Sequence, residues 1–397
     1  MHRCGKKGAA AVFIVLIGTT VIAACTVIGN AVFANLKTAA CDAALNIGCR
    51  SVLSEFDRRL KNDYQIFAYK NSENDIENKL ENYIELNLSE CIKPFRAGEV
   101  SVRAQNAEYA ITKPDIFGEQ AVAAGKLCAA GVSYVERRGK AALATHSVKN
   151  EAMIRSLPSQ GKNLKLINLE GFDVNGAVAD KVSNTYFENK YIIETFGSRF
   201  ERPLSRYAYF DYEVEYILSG KLDEAAGLKH VRERILALRE PLNAAHIVAD
   251  PSKMAAIEKY IATLPPGASV VGTAVIVALW ASAESENDVN MLLDGKKVAL
   301  YKTKQQWALS LENAVKMIFG GENYTEPVDK KGQEYEDYLM MLLYLEDRET
   351  KLVRTMDLIQ LNLRASYNSS LLLKEFYTGF HVSADVDGRE YSYVHTY

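Results

Sequence analysis

The chain lacks the residue patterns that announce common chemistries. Its six histidines, His2, His146, His230, His246, His381 and His395, form no HExxH and no close pair, so their spacing offers no zinc site. CxxC, GxSxG, P-loop and GxGxxG signatures are missing, which removes the motif case for thiolate-metal, serine-hydrolase and nucleotide sites. Gly267 to Gly272 lacks the Lys-Ser/Thr of a phosphate loop and reads as a helix N-terminus. A formal net charge of −3 gives no electrostatic reason to expect nucleic acid. Low-complexity tracts and internal repeats are absent as well. No catalytic, cofactor-binding or metal-ligating residue follows from these patterns; the expectation is a non-enzyme with no cofactor.

The most informative absence is local. From Gly8 to Leu36 there are 29 residues and no charge. About 20 apolar residues cross a bilayer core as a helix, and a helix satisfies its own backbone groups in lipid. His2, Arg3, Lys6 and Lys7 precede the run and no acid does. That bias places the N-terminus in the cytoplasm and the rest outside. A secretory signal peptide has a shorter apolar core than this. Ile22-Ala23-Ala24-Cys25 supplies the residue types of a lipoprotein signal, but Thr26 to Phe33 stay apolar where a polar tether would follow. The reading adopted is an uncleaved anchor whose helix continues into the external body and ends near Lys61-Asn62-Asp63.

Six cysteines are present. Cys4 falls inside and Cys25 in the membrane. Cys41 and Cys49 are about 12 Å apart along one helix, too far for a bridge. Cys91 and Cys128 leave two readings open, a disulfide or small buried thiols.

Ala44, Leu45, Val52, Leu53, Phe56 and Leu60 recur at helical spacing. A second helix is expected over Asn74 to Leu88, capped by Asn74 or Asp75. Val100 to Ile111 alternates like a strand or hairpin. A helix follows from Lys113-Pro114 to about Lys149, with Arg137-Arg138 as a solvated patch. Ser156 to Thr185, holding Pro158, Gly161, Gly171 and Gly176, reads as a boundary. Beyond it come a helix over Asn184 to Phe196, a strand over Tyr207 to Leu218, and helices near 222–248, 251–264 and 268–286. Next are a short strand at Val298 to Tyr301, a helix over Trp307 to Phe319, and one long helix from Glu334 to Arg364. Leu371 to Tyr397 alternates as strands closing a sheet. On a strand, Asp211, Glu213 and Glu215 would share one face, with Arg232, Arg234 and Arg239 on the next helix and Glu284 and Asp288 on the Trp280 helix. A partly buried Arg239–carboxylate link joining the strand to the helix is the favoured use of these charges.

The expected fold class is α+β: one N-terminal transmembrane helix running on into a long extracellular helix, then a mixed helical and antiparallel-sheet ectodomain. The expected divisions are 1–36 (tip and transmembrane helix), 37–160 (membrane-proximal stalk helix and small α+β unit) and 161–397 (distal α+β unit).

Several short patterns recur in one order: Phe56-Asp57-Arg58…Leu60…Asp63-Tyr64-x-x-Phe67; Glu213 to Lys221; Leu238-Arg239-Glu240-x-x-Asn243; Trp280-Ala281-x-x-Glu284-x-x-x-Asp288; Leu292-Leu293-x-Gly295-Lys296-x-Val298 with Trp307; and Arg354-x-Met356-Asp357-Leu358-Ile359-Gln360-x-Asn362. Together with the Lys-Gly before the apolar helix, this order resembles a family of anchored extracellular proteins of tight-adherence (Tad, or Flp) pilus loci in Gram-positive bacteria, related to pseudopilin-like Tad minor components. The resemblance covers most of the chain. It implies a structural or assembly role in a surface pilus or secretion system, with pilus or pseudopilin subunits, the Tad membrane platform and the membrane as partners, and no nucleic acid. Two departures stand out: Gln65-Ile66 replaces the usual Gly-Leu, and Phe13 stands where a processed prepilin carries Glu. The alternative from another class is an anchored extracellular enzyme or ligand-binding module, possible as a lipoprotein, using acids such as Glu213, Glu215 or Glu284.

Overall fold

The computed structural model describes residues 5–91, 100–129, 176–200, 206–264, 272–320, 325–367, 370–386 and 388–397. Arg137-Arg138, the boundary expected at 160/161, most of the Gly267 to Gly272 stretch and Cys4 lie outside them, as does the side chain of Cys91. The chain forms two compact units. The first comprises residues 1–61, 67–111 and 374–397, and the second residues 62–66 and 112–373.

The first unit is built on α1, Gly5–Leu53. Its apolar N-terminal half is bare: none of the membrane-length apolar window is buried. By length and composition α1 is a helix able to cross a membrane. From Cys41 onward the same helix enters a core, burying Cys41, Ala44, Leu45, Cys49, Val52 and Leu53 at three- and four-residue spacing. Burial pushes the Cys49 thiol up to about 12. The helix stops at Leu53, earlier than expected. Asp57 accounts for the break: its carboxylate accepts from the Arg59 and Leu60 backbone N–H groups at 2.8 and 3.2 Å, capping a separate short helix, α2, Arg58–Tyr64.

Helix α3, Glu73–Cys91, lays Ile76, Leu80 and Ile84 against α1. Its cap is Ser72 rather than Asn74 or Asp75. The Ser72 hydroxyl accepts from the Asp75 N–H at 3.2 Å, and the Asp75 carboxylate accepts from the Ser72 N–H at 3.2 Å, a reciprocal capping box.

The sheet is antiparallel in the order β1 (Val100–Gln105), β2 (Gly379–Val386), β3 (Arg389–Thr396). Val102 faces Ala384 and Ala104 faces Val382. Phe380, Val382, Ala384 and Val386 alternate into the core shared with α1 and α3. The C-terminal strands thus close a sheet as expected. Their partner is β1, however, so the hairpin that the pattern grouped with the distal unit belongs with α1. Local alternation marks a strand but carries no information on a partner so far away in sequence.

The outer edge of β1 is covered by one face of α3. Glu81, Glu77 and Glu73 accept from the backbone N–H groups of Val102, Ala104 and Asn106 at 3.2, 2.9 and 3.3 Å. Glutamates four apart stand above one another on a helix, matching the alternate outward N–H groups of an edge strand that would otherwise stay open.

The second unit is helical. Its elements are α4 (Pro114–Ala129), α5 (Gly176–Thr195), α6 (Glu213–Ser219), α7 (Glu224–Ala249), α8 (Pro251–Ala262), α9 (Thr273–Leu293), α10 (Leu311–Gly320), α11 (Tyr335–Leu345) and α12 (Arg348–Tyr367). Three expectations are corrected here. The strand expected over Tyr207 to Leu218 is largely helix α6: acids in its first turn favour a helix start, and Gly220 in the left-handed region at φ 65° stops it. That grammar outweighs the aromatic and β-branched composition. Val298 to Tyr301 makes one isolated bridge, Val298 to Gln333, rather than a strand. The long helix expected from Glu334 to Arg364 is two, because Asp347 accepts from the Thr350 N–H and hydroxyl, both at 2.9 Å, and starts α12 afresh.

Helices α4 and α5 meet at very close range. A Cβ on Gly125 would lie 2.0 Å from the Phe187 carbonyl oxygen. Relief requires the two helix backbones to part, so Gly125→Ala is expected to destabilise the second unit by about 1–3 kcal/mol. Urea unfolding followed by far-UV circular dichroism checks this; an unchanged midpoint would contradict the packing.

Candidate functional site

Charged side chains are usually kept in water, and burying one is costly unless it is paired and hydrogen-bonded. The second unit buries several, and they gather at two places that the sequence patterns touch.

The larger cluster joins α7 to α9. Arg239 is fully buried. Its Nε and Nη2 donate to Asp288 Oδ2 at 3.0 and 2.9 Å, and Nη1 donates to the Ala299 and Leu300 carbonyls at 3.0 and 2.8 Å. Asn243, one turn along α7, accepts from Arg239 Nη2 at 3.1 Å and donates to Asp288 Oδ2 at 3.0 Å. Lys302 reaches both Asp288 Oδ1 and Glu284 Oε1. Glu284, one turn before Asp288, also accepts from the Ala308 and Leu309 N–H groups, each at 2.9 Å. Burial raises the Glu284 carboxyl while Lys302 pulls it back, and the net direction is upward. Two acids and two cations therefore satisfy one another, with backbone carbonyls and N–H groups taking up the rest.

Beside this cluster, Trp280 and Trp307 meet edge to face with centroids 5.8 Å apart, and both indole N–H groups donate to the Leu309 carbonyl. Lys253 Nζ lies 4.0 Å from the Trp307 centroid, and the His246 ring stacks on Trp307 at 5.0 Å. A cavity of about 10 Å³ lies against Asp288 and Lys302, lined also by Lys297, Val298, Gln306 and Lys331. It is the size of one water.

The second cluster surrounds α6. Arg206 clamps Glu213 with both terminal nitrogens, Nη1 to Oε1 at 2.8 Å and Nη2 to Oε2 at 2.6 Å. Asn362 Nδ2 donates to Glu213 Oε1 at 2.6 Å, and the Gly197 N–H donates to Oε2 at 2.8 Å. The Arg206 guanidinium packs over Tyr64 and Phe196 at 4.9 and 5.2 Å. Glu215 differs. Its Oε1 accepts from the Arg199 N–H at 3.1 Å and the Tyr335 hydroxyl at 3.0 Å, while Oε2 is buried with no hydrogen-bond partner among the described residues. Burial pushes its carboxyl up to about 7.

The structure thus separates residues that the strand pattern placed on one face. Glu213 and Glu215 are buried on a helix with different partners, and Asp211 lies before its start. The Arg239–carboxylate link forms with Asp288 of α9, not with the acids near residue 213. Arg232 pairs with Glu286, and Arg234 with Glu346 at 2.5 Å. Arg206, Asn243, Lys302 and Asn362 escaped the charge-based reading, although Asn243 and Asn362 sit in the ordered short patterns. Among the described residues no group of three or more His, Cys, Asp or Glu side chains is placed to hold a metal ion.

A model of a family of unknown function, DUF5702, matches residues 138–388, well over half the chain. No curated protein and no solved structure matches.

Two predictions follow from the charge geometry. Arg239→Met leaves Asp288 buried beside only Lys302 and Asn243, and is expected to cost about 3–5 kcal/mol, read by urea unfolding; a change under about 1 kcal/mol would mean that the pair is not buried in solution. Glu215 has a folded-state value raised above its ordinary 4.5. Its protonated form is favoured in the fold, so its contribution to stability is complete below pH 4.5 and is lost as pH rises to about 7. The loss approaches about 3 kcal/mol at 1.4 kcal/mol per unit. Glu215→Gln should flatten that stretch of the stability–pH curve; an identical slope in wild type and variant would refute the assignment.

Proposed function

The chain belongs to the family of unknown function DUF5702, and from that premise we propose that it is a membrane-anchored structural or assembly component of a Tad/Flp-type surface pilus or secretion system, with its body outside the cell. One observation carries this reading. A single unbroken helix, α1, is bare and apolar over its first half and forms the spine of a folded unit over its second. An anchor continuous with the body transmits position and force directly, as a component fixed at the cell surface requires. A cleaved leader would have no need to share a helix with the core.

The buried charges fit a scaffold. Arg239, Asp288, Lys302 and Glu284 consume one another's hydrogen-bonding capacity and tie α7, α9 and the segment around Ala308 together. The positive N-terminal flank, with Arg3, Lys6 and Lys7 and no acid, supports an inside N-terminus. The ordered short patterns supply the pilus context by resemblance.

Protease added to intact, wall-stripped cells should remove nearly all of residues 40–397, and protection of that region would invert the orientation. In the native host, deleting the gene should abolish surface filaments or the secretion that depends on them. Glu215→Gln, which leaves the Arg206–Glu213 pair intact, should restore them at wild-type surface level. Filaments at wild-type number in the deletion strain would sink the assembly role.

A further inference from the structure

The strand β3 runs alongside α1 in the same direction. Arg389 Nη1 donates to Thr38 Oγ1 at 2.8 Å. The Tyr393 hydroxyl donates to Asp42, and the Tyr397 hydroxyl to the Leu53 carbonyl. The strand therefore climbs the helix from its Arg389 end. Helix α3 runs the other way, since Glu73 reaches Asn106 and Glu81 reaches Val102. Its C-terminal end, the start of β1 and the start of β3 consequently share one rim of the unit.

That rim lies level with the end of the charge-free run. Leu36 is the last residue of the run and is exposed, Lys37 and Thr38 follow, and Ala40 already packs on the core. Four residues of helix are about 6 Å, too short for a stalk. The 29 charge-free residues span about 43 Å, against about 40–45 Å for a bilayer including its headgroups. With Lys6 and Lys7 at the inner surface, an upright helix brings the rim to the outer headgroups, and tilt brings it deeper. Among the described residues the charges on the rim are of both signs. Lys37 and Arg389 are cations there. Asp385, which accepts from the Gly388 N–H at 2.8 Å, and Glu390 are the acids, with Asp42 one turn higher and engaged by Tyr393. Such a mixture suits a zwitterionic headgroup layer, with the guanidinium of Arg389 placed for lipid phosphate.

We propose that the Arg389 end of β3 and the Lys37–Thr38 turn of α1 rest in the phospholipid headgroup layer, seating the first unit directly on the membrane. This rests on the anchored reading above, and the experiment separates the two. The full chain is reconstituted in phosphatidylcholine vesicles carrying a headgroup spin label. Tryptophan is introduced singly at three exposed β3 positions, Glu390→Trp, Ser392→Trp and Thr396→Trp, and quenching is read as the difference from wild type. Positions 390 and 396 are about 20 Å apart along the strand. Quenching should fall in the order 390, 392, 396, with the first at least about twofold above the last. If the chain fails to float with the vesicles, the anchored reading falls. If it floats and position 390 is quenched no more than 396, the anchor stands and the membrane seat is overturned.

Discussion

The architecture of the first unit depends on one constraint: α1 has to suit two surroundings along a single axis. From Gly8 to Leu36 no side chain carries a charge, and none of the apolar window is buried among the described residues. Over its second half one face is buried, occupied by Ile76, Leu80 and Ile84 of α3 and by the alternating side chains of β2. The change falls within one turn, between Leu36 and Ala40. Arg389, Tyr393 and Tyr397 then fasten β3 to the helix at three levels. Without these ties β3, the outer strand of the sheet, would be held by β2 alone.

The second unit solves a different problem. Its helices bury ionised groups, whose desolvation opposes folding and is offset only when geometry and hydrogen bonds are complete. Asp288 meets that condition through Arg239, Asn243 and Lys302, and Glu213 meets it through Arg206, Asn362 and Gly197. Glu215 does not meet it, since one oxygen has no hydrogen-bond partner among the described residues. Burial raises its carboxyl value, and its hydrogen bonds offset that only in part. Networks of this kind fix which helices meet, because a shifted register would strand a charge in the interior.

Much of this was legible in the sequence wherever the signal is local. The charge-free run, the periodicity of α1, the helices α7, α8 and α9, and the alternation of β2 and β3 are all written within short windows. The burial of Arg239 was legible as an excess of acids and arginines needing partners, but its partner was not. Asp288 and Glu215 are both acids within reach on paper, and only the crossing of α7 and α9 selects Asp288. The misread stretch at 207–218 contained its own correction: Glu213 and Glu215 at a helix start and Gly220 at its end are capping signals, and the aromatic content masked them. The division at Asp347 was equally readable as an Asp cap followed by Thr350.

Gln65 joins sequence and structure most directly. The structure puts Gln65 at φ 57°, in the left-handed region, where a side chain costs about 1–2 kcal/mol that glycine does not incur. The turn after α2 therefore holds a non-glycine residue in the backbone conformation that a glycine would favour. Its neighbours explain how: Tyr64 is buried under Arg206 and against Phe196, Ile66 is buried, and Phe67 packs edge-on against Phe56 at 5.2 Å. Anchored on both sides, the residue between them has no freedom to relax to negative φ. The buried neighbours set the angle at which the chain leaves α2, and Gln65 takes the positive φ that this angle requires.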